Sequence, residues 1–139
     1  MIHITNNEEE TQDLAHDFAN TLKGSEIVYL QGDLGSGKTT FVRGVVRTLG
    51  FDEPVRSPTF TIVNRYEVTH STIKQIIHVD LYRIENPSEL IPLALEEELG
   101  QPGVVAFIEW PERGQGNLAG ATTTINLNIL GDERQIEIK

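Results

Sequence analysis

The chain has 139 residues, enough for one domain with a single core and too few for a second substrate domain. Its 11 basic and 21 acidic side chains give a formal net charge of −10, a field that repels a phosphate backbone, so any nucleic acid in its biology is expected to be held by a partner. With no cysteine it can build neither a disulfide framework nor a thiolate metal site; no apolar stretch reaches membrane-span length, and Met1–Asn7 lacks the basic-then-apolar pattern of a secretion signal, which makes a cytoplasmic location without membrane contact the expectation.

Residues 8–22 read as the first helix. Leu14, Ala15, Phe18, Ala19 and Leu22 form one apolar stripe, Asn7 with Glu10 three residues later suits a cap, and Lys23-Gly24-Ser25 ends the element. Ile27–Leu30 is a short β-rich run. Directly after it, Gly32-Asp33-Leu34-Gly35-Ser36-Gly37-Lys38-Thr39 fits the pattern G-x-x-x-x-G-K-[ST] without a mismatch. Beyond the loop, Phe41, Val42, Val45, Val46 and Leu49 recur at helical spacing up to a natural stop at Gly50. Strand, glycine loop and helix are what such a motif needs. The glycines let the backbone wrap closely around phosphates, Lys38 brings a point charge, the Thr39 hydroxyl suits a Mg²⁺ ligand, and the new helix aims its positive end at the anion. The bland alternative is a glycine-rich strand–helix turn with an incidental Lys-Thr.

Ser57-Pro58-Thr59-Phe60-Thr61-Ile62-Val63 is polar at its start and β-rich at its end, and Tyr66-Glu67-Val68 extends it. A turn over residues 69–72 and a returning strand from Ile73 to Leu81 make an antiparallel hairpin. Pro87 to Leu99 has helical character interrupted by Pro92, with Glu96–Glu98 as a solvated end. Val104–Ile108 is continuously apolar, as expected of a strand buried on both faces. Past glycines at 114, 116 and 120, Ile125, Leu127 and Ile129 alternate with polar residues, and Gly131-Asp132 turns the chain into a last strand with Ile136 and Ile138.

Hydrolysis needs a carboxylate for Mg²⁺ or its water shell and a group that orients the attacking water. Asp80 closes the run Ile76–Val79 and Glu109 closes Val104–Ile108. Carboxyl ends of parallel strands converge on the ligand crevice of an open α/β sheet, which favours Glu109 first and Asp80 if its strand runs the same way. Either can ligate Mg²⁺ while the other works through water, and the plain alternative for both is a strand-end charge in solvent. Thr59, beside a stiff proline, suits a γ-phosphate-sensing switch or an ordinary loop leading into a strand. His78 reads more readily as a buried structural histidine than as a catalytic one. Trp110 suits the nucleotide side, a partner surface or the core.

Four segments occur together in order: GDLGSGKTT (Gly32–Thr40), SPTFT (Ser57–Thr61), HVDLYR (His78–Arg83) and IEWPE (Ile108–Glu112). Over about Thr11 to Gly116 they resemble the TsaE family, small bacterial ATPases of tRNA threonylcarbamoyladenosine biosynthesis. The phosphate loop is shared by a vast superfamily, so the HVDLYR and IEWPE segments carry the specificity. The resemblance implies an α/β fold, a single P-loop NTPase domain over residues 1–139 with a mixed, mostly parallel sheet flanked by helices and antiparallel hairpins. It implies an ATPase, weak alone, that binds ATP/ADP with Mg²⁺ and assembles with TsaB and TsaD type proteins. Those proteins transfer the threonylcarbamoyl group to adenosine 37 of tRNAs reading codons that begin with A, so tRNA is met only through the partners.

Carried over by position, the resemblance assigns Gly32 and Gly35, Ser36, Gly37, Lys38, Thr39 and Thr40 to the phosphates and Thr39 and Glu109 to Mg²⁺. Asp80 joins the catalytic network and the metal side, with Lys38, Asp80 and Glu109 as the catalytic set. Thr59 takes a switch-like position, Trp110 lies near nucleotide or partner, and Asn7 and Glu8 fall on the adenine side. Arg134, in the last hairpin, suits a nucleotide or partner contact but has no motif behind it.

Three rival readings use the same loop. A small-molecule kinase would need an acceptor pocket and an arginine-bearing lid, yet between Gly50 and Gly120 the chain has only Arg56, Arg65, Arg83 and Arg113. A guanine-nucleotide switch would need an Asn-Lys-x-Asp run, which is missing. A nucleotide-dependent assembly factor, in which binding rather than hydrolysis sets partner affinity, differs from the leading reading only in whether Glu109→Ala retains function.

Overall fold

The computed structural model describes residues 1–51, 62–114 and 116–139. In chain order the elements are β1 (Ile2–Thr5), α1 (Glu8–Ala19), β2 (Ile27–Gln31), α2 (Lys38–Thr48), β3 (Val63–Glu67), β4 (Gln75–Asp80), β5 (Val104–Glu109), β6 (Thr123–Leu130) and β7 (Glu133–Ile138). The strands form one seven-stranded sheet in the order β1-β7-β6-β2-β5-β4-β3. β6, β2, β5 and β4 run parallel through its centre, β3 on one side and β7 on the other run against them, and β1 pairs antiparallel with β7 at the edge. The α/β architecture with a mixed sheet and antiparallel hairpins is the one expected from the sequence.

The central strands are apolar on both faces, and each face has its own cover. Val28, Leu30, Ile76, Val105, Phe107 and Leu127 pack under α1 and α2, where Phe18 lies 5.6 Å from Phe41 and 6.4 Å from Phe107, ring to ring. Ile27, Ile77, Val79, Ala106 and Ile108 face the opposite way, against Leu81, Ile84, Leu90, Leu95 and Leu99. In β5, Val105 to Ile108 are fully buried, which explains why this strand reads as an unbroken apolar run.

Local chemistry sets the element ends. Asn7 caps α1, its Oδ1 accepting from the Glu10 N–H at 2.8 Å, with Glu8, Glu9 and Glu10 in the positive first turn. α1 stops at Ala19 rather than at the expected residue 22, and single turns carry the chain on so that Leu22 is still buried. α2 closes on Gly50 (φ 99°): the Gly50 N–H meets the Arg47 carbonyl and the Phe51 N–H the Val46 carbonyl, the paired bonds of a left-handed glycine stop. Gly44, midway along α2, has another function. A Cβ there would stand 2.8 Å from the Ala15 Cβ and 3.1 Å from the Gln12 backbone, so its bareness sets how closely α1 and α2 approach.

One expectation is corrected, and one element was not foreseen. The helical stretch over residues 87–99 is two 3₁₀ pieces, Pro87–Leu93 and Leu95–Glu97. Pro92 withholds a donor, and Ala94 adopts φ 49°, which breaks the run between them. An amino-terminal strand, β1, was not expected. It pairs with β7 through Ile2↔Glu137 to Thr5↔Arg134, and its Ile2 and Ile4 are exposed while Thr5 is buried against α1 through a 2.8 Å bond to Thr11. The expected strand start and switch segment at Ser57-Pro58-Thr59 lies outside the described residues.

Candidate nucleotide site

β2 feeds the glycine loop, and the loop feeds α2. At Gly32 a Cβ would stand 2.5 Å from the Leu127 carbonyl of β6, so no side chain fits where the loop leaves the sheet. Gly35 (φ 81°) and Gly37 (φ 104°) lie in the left-handed region that favours glycine, and Gly37 is the residue preceding α2. That helix start has no side-chain cap and no acid in its first turn, so its positive end is available to an anion.

Beside the loop lies a cavity of about 460 Å³. The loop contributes Leu34, Gly35, Gly37, Lys38, Thr39 and Thr40; β4 and β5 contribute Asp80 and Glu109. The start of α1 adds Asn7, Glu8 and Thr11, and the β6–β7 hairpin adds Asp132 and Arg134. Register explains the two strand-end acids. β4 and β5 are parallel with Asp80 opposite Glu109, and Glu109 is also opposite Leu30 of β2, so both carboxylates emerge at the edge where the loop begins.

Lys38, Asp80 and Glu109 are almost wholly withdrawn from water, and His78 is buried beside them. Lys38 Nζ donates to the Gly32 carbonyl at 2.5 Å, lies 3.8 Å from Glu109 Oε1 and sits 4.3 Å from the centre of the Trp110 ring. Glu109 Oε2 is 2.5 Å from Nε2 of His78, which is fully buried. Asp80 Oδ1 accepts the Tyr82 N–H at 2.9 Å. Burial pulls the Lys38 ammonium below its usual range against the opposing pull of Glu109, Asp80, Glu112 and Asp33. Burial likewise raises the Asp80 carboxyl, with Glu109 adding to the rise and the Tyr82 N–H, His78 and Lys38 resisting it.

Not every residue singled out from the sequence reaches the cavity. Gly32 and Ser36 belong to the loop but do not line the cavity, and among the described residues the buried Ser36 hydroxyl has no hydrogen-bond partner. Trp110 is outside the lining as well. Its backbone is left-handed (φ 57°), and its ring packs 5.2 Å from Tyr82 and carries Lys38 on one face. Thr59 lies outside the described residues. Thr11, Leu34 and Asp132 were not expected at the cavity. Thr11 had a signal, because it follows Asn7 by one helical turn. Asp132 and Arg134 had none that is local. The parallel β2–β6 pairing brings the hairpin up to the loop, where Arg134 Nη2 donates to the Gly35 carbonyl at 3.3 Å.

Among the described residues no three His, Cys, Asp or Glu side chains form a cage for a metal ion. The donors at hand, two carboxylates and the Thr39 hydroxyl, are all oxygens. That set fits a Mg²⁺ carried in with phosphates and water rather than a resident ion. No helix among the described residues is long and apolar enough to cross a membrane.

Comparison with known proteins gives the family. The family described as "Threonylcarbamoyl adenosine biosynthesis protein TsaE" matches residues 5–136. A tRNA threonylcarbamoyladenosine biosynthesis protein TsaE from Rickettsia bellii is 41% identical over 134 residues, covering 96% of this chain and 90% of that protein. One of the same name from Aquifex aeolicus is 44% identical over 112 residues, 79% of this chain and 76% of that one. The crystal structure of YdiB from Bacillus subtilis superposes with a TM-score of 0.80 at 32% identity, covering 98% of this chain and 82% of the other. The phosphate-loop pattern, the paired strand-end acids and a match that spans nearly the whole chain place this protein in the TsaE family.

Proposed function

We propose that the chain is the ATP-binding and ATP-hydrolysing subunit required for threonylcarbamoyl modification of adenosine 37 in tRNAs reading codons that begin with A. In this reading it works in the cytoplasm as a single ATPase domain over residues 1–139, weak alone and activated by TsaB and TsaD type proteins, which hold the tRNA and carry out the transfer. The observation that carries the reading is the convergence of Lys38, Thr39, Asp80 and Glu109 on the cavity beside the glycine loop. The acidic chain fits a subunit that leaves RNA to its partners.

The charges around the cavity set its demands. Among the described residues that line the cavity, Glu8, Asp80, Glu109 and Asp132 face Lys38 and Arg134, so a triphosphate arriving alone would meet more carboxylates than cations. Bound with the nucleotide, Mg²⁺ supplies the missing positive charge, and Thr39, Glu109 and Asp80 are the side chains that would hold it or its water shell. The backbone of Gly35 to Thr40 and the start of α2 receive the phosphates. Lys38 is turned inward to Gly32 and Glu109, and it reaches the phosphates by giving up those contacts. Of the two carboxylates, the one not on the metal orients the attacking water. Asn7 and Glu8 at the start of α1 lie on the adenine side.

The test is mass-spectrometric measurement of threonylcarbamoyladenosine in tRNA from cells depleted of the protein and complemented with the parent or with Lys38→Ala. The nucleoside falls on depletion and only the parent restores it. An unchanged level overturns the assignment.

A further inference from the structure

We propose that His78 is a positioning residue for Glu109: its Nε2–H holds Oε2 from inside the sheet so that Oε1 is presented to the cavity. The proposal rests on the nucleotide reading above and deepens it. His78 stands on β4 two residues before Asp80, opposite Phe107, which itself precedes Glu109 by two on β5. The ring therefore lies one pleat behind the carboxylate pair and on the same face of the sheet, within diagonal reach of Glu109. It is fully buried, and its two nitrogens are treated unequally: Nε2 meets Glu109 Oε2 at 2.5 Å, while Nδ1 has no hydrogen-bond partner among the described residues.

That inequality selects a tautomer. A carboxylate oxygen accepts, so Nε2 carries the hydrogen. Packing alone does not account for this. An apolar side chain would fill the same space beside Phe107 without leaving an unpaired nitrogen. The consequence lies at the other oxygen. With Oε2 held, Glu109 turns only Oε1 toward Lys38, 3.8 Å away, and toward the cavity. Released from His78, the carboxylate is free to pair with Lys38 through both oxygens and to turn away from the ion that accompanies the phosphates. Groups that hold a metal-side carboxylate from behind commonly change metal affinity or activity by about 10–100-fold when removed.

The experiment titrates Mg²⁺ against binding of a fluorescent ADP derivative to the parent, His78→Leu, His78→Gln, Glu109→Gln and the double variant His78→Leu/Glu109→Gln. Thermal melts confirm that each is folded. His78→Leu raises the half-saturating Mg²⁺ concentration by about tenfold or more, and His78→Gln, whose amide can still donate, restores most of the loss. In the Glu109→Gln background, His78→Leu adds less than about twofold, because the two act through one contact.

A folded His78→Leu protein with parental Mg²⁺ dependence overturns the proposal. If Glu109→Gln shifts that dependence while His78→Leu does not, only the role of His78 fails. If neither shifts it, the nucleotide-side placement of Glu109 fails with it. A second measurement needs no variant. Long-range ¹⁵N–¹H spectra of the parent show a hydrogen on Nε2 of His78, and an Nε2 without one overturns the proposal.

Discussion

Lys38 and Glu109 hold each other at the carboxyl edge of the sheet. Nζ lies 3.8 Å from Oε1, each side chain is 5% exposed, and the same Nζ donates to the Gly32 carbonyl at 2.5 Å. The lysine thus answers both to the strand that ends in Glu109 and to the start of its own loop. Removing one partner of such a pair leaves a buried charge behind, which costs more than the pair itself contributes.

Lys38→Ala therefore acts on nucleotide and fold together. Loss of a charge-assisted phosphate contact from a preorganised loop weakens ADP and ATP binding by about 2–4 kcal/mol. Isothermal titration at equal Mg²⁺ reads the affinity, and a melt reads the cost of leaving Glu109 with His78 as its remaining named partner. Parental affinity in this variant would remove the phosphate-loop assignment.

Arg134 is the second cation at the cavity, and its guanidinium bonds two backbone carbonyls, those of Gly35 and Glu133. We expect Arg134→Ala to weaken nucleotide binding about tenfold, near 1.4 kcal/mol, through loss of positive charge and of its hold on the loop. Arg134→Lys restores the charge but not the planar fork, so it recovers only part of the affinity. Equal affinities in all three proteins would confine Arg134 to the surface of the hairpin.

How much of this was legible depended on whether the signal was local. The strand–loop–helix unit was readable because one pattern, G-x-x-x-x-G-K-[ST], sits between a β-rich run and the stripe Phe41, Val42, Val45, Val46 and Leu49, all of which are buried. Glu109 was readable because the unbroken apolar run before it marked a central strand. The 3₁₀ form of residues 87–97 was not, because a left-handed Ala94 is not written into an alanine. β1 was hidden for another reason. Its alternating Ile2 and Ile4 face outward and are about half exposed, so the pattern that usually marks a buried face here marks the open one. Arg134 is 99 residues from the carbonyl it touches, and only sheet order brings the two together.

Asp80 links the site to stability through pH. Burial raises its carboxyl in the folded protein, with Glu109 reinforcing the shift and the Tyr82 N–H, His78 and Lys38 opposing it. Above the ordinary aspartate range the folded state then holds more protons than the unfolded one, so this group's contribution to stability falls as pH rises through the raised value. Asp80→Asn keeps an acceptor for the Tyr82 N–H and removes the charge. It should melt higher than the parent near neutral pH, the advantage shrinking toward pH 4, while ATP hydrolysis is lost. A melting temperature lowered at neutral pH would show that pairing, not burial, governs this carboxylate.

Gly44 offers a test of the packing that carries the loop. α2 begins at Lys38, and its seventh residue, Gly44, meets α1 where a Cβ would stand 2.8 Å from Ala15 and 3.1 Å from Gln12. In an exposed helix Gly→Ala stabilises by up to about 1 kcal/mol, because alanine has less backbone entropy to lose. Here the added methyl has to push two helices apart in a close-packed interior, an overpacking cost of about 1–3 kcal/mol. Gly44→Ala is therefore net destabilising in urea titrations. Ala15→Gly in the same chain removes the nearer clash and recovers part of the loss, so the two substitutions are non-additive. If Gly44→Ala instead raises the denaturation midpoint, the helices separate at little cost, and close contact at Gly44 is not what sets the approach of α1 to α2.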